Sequence, residues 1–183
     1  MRIRVLFATV EGQTEKIAGF AAETATQHGH AADLVNIDGP APVAVQRTDV
    51  TILAAPVHQR RHPRSFEAFV AANTEALNAG RTLLLSVSMS AAFPEGREEA
   101  QDYMTEMLMR TGLNPAGHAL VAGAIRTSKY DYFAAQVVRH VVMRDRDYDA
   151  AATEHEFTDW TALASTIEGF LDAASGAAAR QEG

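Results

Sequence analysis

The chain of 183 residues contains no cysteine, which excludes several kinds of chemistry at once. Without thiols it has no disulfide framework, no cysteine nucleophile, no iron–sulfur cluster and no thiolate-ligated zinc. Basic residues are also few, with 16 Lys and Arg against 23 Asp and Glu and a net charge of −7. Because binding to phosphates needs clustered cations, this balance argues against a nucleic-acid partner.

Long apolar runs are missing as well. The first run, residues 3–8, turns polar at Thr9 and is too short for a signal peptide. No stretch approaches the roughly 20 apolar residues that span a bilayer. A charged fraction of 21% and a hydrophobic content of 47% are typical of a folded protein. We expect a single cytoplasmic domain over residues 1–176 and a flexible tail over 177–183.

Short apolar runs alternate with helical patterns along most of the chain. The runs typical of buried strands are 3–8, 31–37, 50–55, 81–87 and 118–125. Between them, apolar residues recur at three- and four-residue steps, as on the buried face of a helix. Helices are expected over 14–29, 66–80, 95–110 and 160–174. Strands that alternate with helices form parallel units, so the sequence predicts an α/β, doubly wound sheet.

Residues 126–153 interrupt this alternation. Between Arg126 and Arg146 there are five basic and two acidic residues, a local charge of +3 in an acidic protein. Valines at positions 137, 138, 141 and 142 form an apolar stripe beside them. Such a segment can lie on a membrane surface or dock a partner. The simpler alternative is that its valines pack on the domain and its arginines stay in solvent.

The loop after the first strand leads straight into a helix. In doubly wound sheets, ligands bind beyond the carboxyl ends of the strands, where the strand order reverses. The residues of this loop are Thr9, Val10, Glu11, Gly12, Gln13 and Thr14. Unpaired N–H groups at a helix start favour phosphate, and Gly12 allows its close approach. Taken alone, Thr14 is more readily explained as a helix N-cap.

Several familiar motifs are absent. The loop has neither the Gly-Lys-Ser/Thr of nucleotide hydrolases nor Gly-x-Gly-x-x-Gly. His58 and His62 have the spacing of helical metal ligands, but Pro56 and Pro63 place them in a loop without a third ligand nearby, so no metal site is expected. The serines after the fourth strand lack a Gly-x-Ser-x-Gly elbow. A receiver domain would need an acidic pair where this chain has Ala8-Thr9-Val10.

The first strand and its loop read Val5-Leu6-Phe7-x-Thr9-x-x-Gly12-x-Thr14-x-x-x-Ala18. This string resembles the flavodoxin signature, whose loop binds the phosphate of FMN. One departure is Ala21, where that family usually carries a branched aliphatic residue; the change affects helix packing more than chemistry. The run 50–55 with the following Pro56-Val57 looks like the third strand and flavin-edge loop of the same family.

A narrower resemblance covers nearly the whole chain. The sequence is similar to the flavodoxin-type, quinone-dependent protoporphyrinogen oxidases of bacteria. The shared motifs are Ser65-Phe66-x-x-Phe69-Val70, Ser86-Val87-Ser88, Val121-Ala122-Gly123-Ala124-Ile125-Arg126 followed by Tyr130 and Tyr132, and Phe157-Thr158-Asp159-Trp160. Members of that family interrupt the fifth strand with an insertion that carries substrate and membrane contacts. The resemblance therefore identifies 126–153 as this insertion.

The resemblance implies a doubly wound flavodoxin-like fold with a five-stranded parallel sheet in the order 2-1-3-4-5. Helices cover both faces, and the insertion lies in or after strand 5. FMN is the implied cofactor, held by the loops after strands one, three and four. The expected cofactor-binding residues are Thr9, Val10, Glu11, Gly12, Gln13, Thr14, Pro56, Val57, His58, Gln59, Arg60, His62, Ser88, Met89, Ser90 and Phe93. The flavin carries the chemistry, so no protein side chain is expected to be catalytic.

The implied activity is the FMN-dependent oxidation of protoporphyrinogen IX to protoporphyrin IX in haem biosynthesis. The electron acceptor is a menaquinone-like quinone or a redox partner protein, with peripheral contact to the inner face of the cell membrane through 126–146. Porphyrin propionates are anionic, so the residues expected to bind substrate are Arg60, Arg61, Arg126 and Lys129. Solvated surface cations are an alternative of equal weight.

The loop after the third strand departs from that family. It reads His58-Gln59-Arg60-Arg61-His62, without the family's tyrosines, so His58, His62 or Phe93 is left to stack on the flavin. Phe93 has an alternative role as a hydrophobic staple before the next helix. Asp145-Arg146-Asp147 also stands where the family tends to have paired glycines. Two further functions stay open: an electron carrier or other FMN-dependent reductase, and a flavin-free binding module on the same fold.

Overall fold

The computed structural model describes residues 1–46, 50–126 and 154–181. Five strands form one parallel sheet: β1 (Arg2–Phe7), β2 (Ala31–Asn36), β3 (Val50–Pro56), β4 (Arg81–Ser88) and β5 (Gly117–Ala122). Their order is β2-β1-β3-β4-β5. The flavodoxin-like sheet expected from the sequence is therefore confirmed, including the reversal of strand order beside β1.

Helices cover both faces of this sheet, because side chains along each strand alternate between them. The helices are α1 (Gln13–Gln27), α2 (Arg64–Ala72), α3 (Thr74–Ala79), α4 (Arg97–Thr111) and α5 (Trp160–Gln181). Val5 and Phe7 pack with α1 and α5 on one face. Leu6 and Ala8 pack with α2, α3 and α4 on the other. The loops beyond the strand ends are thus held between two buried apolar layers.

Several helix boundaries differ from the predictions. The helix expected over 66–80 divides at Asn73, whose side chain donates to the carbonyl of Phe69 (2.9 Å) and competes with the backbone ladder. Residues 94–96 form a separate 3₁₀ turn, so α4 begins two residues later than expected. Asp159 caps α5 by accepting from the N–H of Ala162 (2.9 Å). This alanine-rich helix continues to Gln181, so the expected end at 174 was wrong.

The fifth strand is shorter than expected. Pairing with β4 stops at Ala122, and the N–H of Gly123 then donates to the carbonyl of Ser88 (3.1 Å). The chain continues as β6 (Ala124–Arg126), which pairs antiparallel with β7 (Glu154–Glu156). The interruption predicted from the sequence thus follows strand 5, and residues 127–153 lie outside the described residues. Within the described part of the chain, no helix is long and apolar enough to cross a membrane.

Candidate functional site

A cleft of about 260 Å³ opens beyond the carboxyl ends of β1, β3 and β4. This is the edge of the sheet at which strand order reverses, where open α/β folds bind their ligands. The predicted residues that line the cleft are Glu11, Gln13, Thr14, Pro56, Val57, His58, Gln59, Arg60, Ser88, Met89 and Ser90. The lining residues that the sequence did not indicate are Val87, Tyr103, Gly123, Ala124 and Ile125. Three separate loops therefore meet at one site.

The loop after β1 closes on itself before α1 begins. Gly12 is the N-cap of α1 with φ of 93°, a left-handed conformation that favours glycine. Its N–H donates to Thr9 Oγ1 (3.0 Å), so Thr9 shapes the loop instead of lining the cleft. Thr14 lies inside the first turn and is 2% exposed, so the N-cap alternative was wrong. The N–H groups of the first turn of α1 point toward the N-terminal end of the helix, where Gln13 and Thr14 line the cleft.

Gln13 lines the cleft and carries a buried, unsatisfied polar atom. Its Nε2 donates to Glu156 Oε2 (3.2 Å) and to Thr158 Oγ1 (3.0 Å). Its Oε1 is buried and meets no hydrogen-bond donor among the residues that the structure describes. A buried acceptor left in this state costs about 1–3 kcal/mol. A ligand that brings a hydroxyl or N–H group into the cleft would satisfy it.

The loop after β3 forms a tight turn at the mouth of the cleft. His58 and Arg61 exchange backbone hydrogen bonds of 2.9 and 3.0 Å. Between them, Gln59 and Arg60 have φ of 48° and 66°, the geometry of a type I′ turn. Neither residue is a glycine, so each is strained, and such strain concentrates at ligand sites. His58 Nε2 lies 3.7 Å from Glu11 Oε1, which brings the first and third loops together.

Tyr103 of α4 supplies an aromatic ring to the cleft. Arg60 lies over this ring, and its Nη1 is 3.8 Å from Glu99 Oε1. The Tyr103 hydroxyl donates to Glu99; burial, this hydrogen bond and the carboxylate's charge raise the pKa of Tyr103 to about 12. Hydrogen bonds from Tyr103 and from Ser90 Oγ (3.1 Å) hold the pKa of Glu99 below its usual value. The periodicity over 95–110 predicts a buried face for this helix, and Tyr103 lies on that face.

His62 lies behind the loop and not in the cleft. It is 1% exposed, its Nε2 is 3.0 Å from Ser86 Oγ, and its ring stacks on Phe66. Burial lowers the pKa of His62 to about 4, so the ring is neutral. Phe93 packs against Phe157 with ring centroids 5.4 Å apart and is not among the described residues that line the cleft. Of the three rings proposed to stack on a flavin, His58 is the one that the described structure brings to the cleft.

The two neighbouring arginines of the loop have different environments. Arg60 lines the cleft, whereas Arg61 Nε donates to the buried Glu67 Oε2 (3.1 Å). Arg110 Nη2 reaches the other oxygen of the same carboxylate (2.8 Å). Burial alone would raise the pKa of Glu67, but the hydrogen bonds from Arg61 and Arg110 outweigh it and hold the pKa low. Arg61 therefore anchors the loop to α2 and α4 and does not line the cleft.

The other predicted site residues are placed as follows. Val10 is exposed beside the cleft without lining it. Arg126 pairs through its backbone with Glu154, directly after the cleft-lining Ile125. Lys129 lies outside the described residues, as does most of the segment 126–146 that was expected to touch membrane.

Comparison with known proteins identifies relatives of this chain. The model of the flavodoxin domain matches residues 4–152. The protoporphyrinogen IX dehydrogenase (quinone) of Escherichia coli is 25% identical to the chain over 166 residues, 90% of this chain and 92% of that protein.

Solved structures share the fold. A short-chain flavodoxin associated with a bacterial microcompartment superposes with a TM-score of 0.59 at 12% identity, covering 95% of this chain and 99% of that one. A variant flavodoxin of Fusobacterium nucleatum bound to flavin mononucleotide has a TM-score of 0.50 at 13% identity, covering 93% of each chain.

Proposed function

We propose, on the premise that this chain belongs to the flavodoxin domain family, that it binds FMN and acts as an FMN-dependent oxidoreductase. The observation that carries this proposal is the cleft at the reversal of strand order, where α1 begins and where the lining residue Gln13 has a buried unpaired acceptor. A ligand of this site needs both an anionic group for the helix start and a donor group for Gln13. FMN has a phosphate and a hydroxylated chain, so the residues present fit it.

Each loop has a distinct part in holding the cofactor. The N–H groups at the start of α1 and the Thr14 hydroxyl would bind the phosphate, with Gly12 allowing its close approach. The loop 56–60 and the loop 88–90 would hold the ring system from two sides and exclude water. The FMN would supply the redox chemistry, which these side chains position and tune.

We further propose that the substrate is protoporphyrinogen IX and the acceptor a menaquinone-like quinone. The support is the match to the E. coli enzyme, which covers 90% of this chain and 92% of that protein. Arg60 suits an anionic substrate, because its guanidinium lines the cleft and its side chain is 78% exposed. We also propose that the protein is cytoplasmic and approaches the membrane through residues 126–146.

The test proceeds in two steps. The purified protein is incubated with FMN and desalted, and its visible spectrum is recorded; the proposal expects the two absorption bands of oxidised flavin to stay with the protein. The flavin-loaded protein is then given protoporphyrinogen and a soluble quinone under anaerobic conditions, and porphyrin fluorescence is followed. Retained flavin without turnover would favour an electron carrier. A protein that takes up no flavin would contradict both redox functions and leave the binding module.

A further inference from the structure

Glu156 connects the base of the interrupted segment to the loop after β1. It lies on β7, opposite Ala124, which lines the cleft. Its Oε2 accepts hydrogen bonds from Gln13 Nε2 (3.2 Å) and from Lys16 Nζ, and its Oε1 accepts from Trp160 Nε1 (2.7 Å). Burial alone would raise the pKa of Glu156, but these donors hold it below its usual value. The carboxylate is therefore ionised and can only accept.

Thr158, the second hydrogen-bond partner of the Gln13 side chain, also accepts from the Gln13 amide nitrogen. The Thr158 hydroxyl gives its proton to the carbonyl of Ala122 (2.7 Å), so it meets Gln13 with a lone pair. The Gln13 amide nitrogen must consequently face Glu156 and Thr158, because a reversed amide would place its oxygen against two acceptors. With the amide in this orientation, the Gln13 oxygen Oε1 meets no hydrogen-bond donor among the described residues.

We propose that Glu156 is a positioning residue that fixes the Gln13 amide so that Oε1 accepts a hydrogen bond from a hydroxyl group of the bound cofactor. The inference rests on the proposed binding of FMN. The phosphate cannot be this partner, because near neutral pH it is largely a dianion and brings acceptors. The donor therefore belongs to the part of FMN that riboflavin shares. We assign it to the hydroxylated chain, because this chain is attached to the phosphate expected at the start of α1. Glu156 does not line the cleft and acts only through Gln13.

Glu156→Gln tests this role because it preserves size and can donate as well as accept. Only Thr158 then favours the original orientation of the Gln13 amide, so the amide turns more readily and the contact with the ligand is weakened. Dissociation constants for FMN and for riboflavin are measured by flavin fluorescence quenching. We expect both to rise by the same factor, about three- to tenfold, as for one hydrogen bond. Loss of negative charge alone would tighten FMN binding and leave riboflavin unchanged.

Two further variants separate positioning from a general loss of structure. Trp160→Phe removes the donor to Glu156 Oε1 and leaves the Gln13 contact in place, so flavin affinity should be unchanged. Gln13→Met removes the acceptor itself and should weaken both flavins. Adding Glu156→Gln to Gln13→Met should then cost nothing more, since the two residues act through one contact. Urea unfolding of each variant shows whether it folds like the wild type.

The outcomes distinguish this inference from the function on which it rests. Parallel weakening of FMN and riboflavin by Glu156→Gln, absent in the Gln13→Met background, supports it. Unchanged affinities, or weakening of FMN alone, would overturn it while leaving FMN binding by the wild type intact. A wild-type protein that binds neither flavin would overturn both.

Discussion

Arg60 lies over the ring of Tyr103, with its guanidinium carbon 5.7 Å from the ring centroid. The two residues come from the loop after β3 and from α4, and both line the cleft. A guanidinium over an aromatic face is held by attraction to the ring, and Glu99 supports it from the side. The strained turn thus presents a cation to the cleft in a defined place.

This arrangement predicts that Arg60 binds the anionic part of the substrate. Arg60→Gln should raise the KM for protoporphyrinogen about tenfold with little change in kcat, because a charge contact made before and during the reaction is lost. Steady-state rates over a range of substrate concentrations give both constants. Arg64→Gln is the matched control, since Arg64 is exposed and does not line this cleft. Equal effects of the two variants would remove the specific role of Arg60.

The strain in the same turn predicts a gain in stability. Gln59 has φ of 48°, which costs a non-glycine residue about 1 kcal/mol or more. Gln59→Gly should raise the free energy of unfolding in urea by about 0.5 kcal/mol, the relief of strain being partly offset by the greater chain entropy of glycine. Gln101→Gly inside α4 should lower it by about 1 kcal/mol. A destabilised Gln59→Gly protein would show that the turn is not strained.

The cleft-lining loops could be predicted because they follow from where the apolar runs stop. Parallel strands bring their carboxyl ends to one edge, so residues such as Val57 and Ser88 meet there whatever their own identity. The break at Gly123 was less visible, because apolar residues continue on both sides of it. In the structure, the hydrogen bond of Gly123 to the end of β4 and the antiparallel pairing of β6 with β7 mark where the parallel sheet stops.

Side-chain direction could not be predicted in the same way. Arg60 and Arg61 are neighbours with the same chemistry, yet the I′ turn brings one to the cleft and the other to Glu67. Glycine or asparagine usually marks such a turn, and this one has Gln59 and Arg60. The position of Tyr103 at the cleft could not be predicted either. Helical periodicity shows which face of a helix is buried, but not which loop packs against that face.

Buried His62 predicts a dependence of stability on pH. Its pKa is lowered to about 4 in the folded protein from the usual 6.5 of a solvated histidine, so between these pH values the unfolded chain binds the extra proton. The stability that a neutral His62 provides is present above about pH 6.5 and is lost as the pH falls toward 4, by up to about 3 kcal/mol. Urea unfolding across this range measures the loss. His62→Leu should flatten the profile, whereas His118→Gln at an exposed position on β5 should not.

The carboxylate shared by Arg61 and Arg110 predicts that cofactor affinity depends on a residue behind the cleft. Glu67→Gln removes the negative charge that Arg61 and Arg110 share and replaces one of its two acceptor oxygens by a donor. It should lower the free energy of unfolding by about 1–3 kcal/mol, less than for a fully buried pair because both arginines are partly exposed.

Because Arg61 closes the turn that carries His58 and Arg60, Glu67→Gln should also raise the dissociation constant for FMN severalfold. Glu106→Gln is the matched control. Glu106 accepts one exposed hydrogen bond from Arg110 (3.1 Å), on the side of Arg110 that does not contact Glu67. This variant should change neither quantity measurably. If Glu67→Gln lowered stability but left FMN affinity equal to that of Glu106→Gln, the anchor would support the fold without shaping the site.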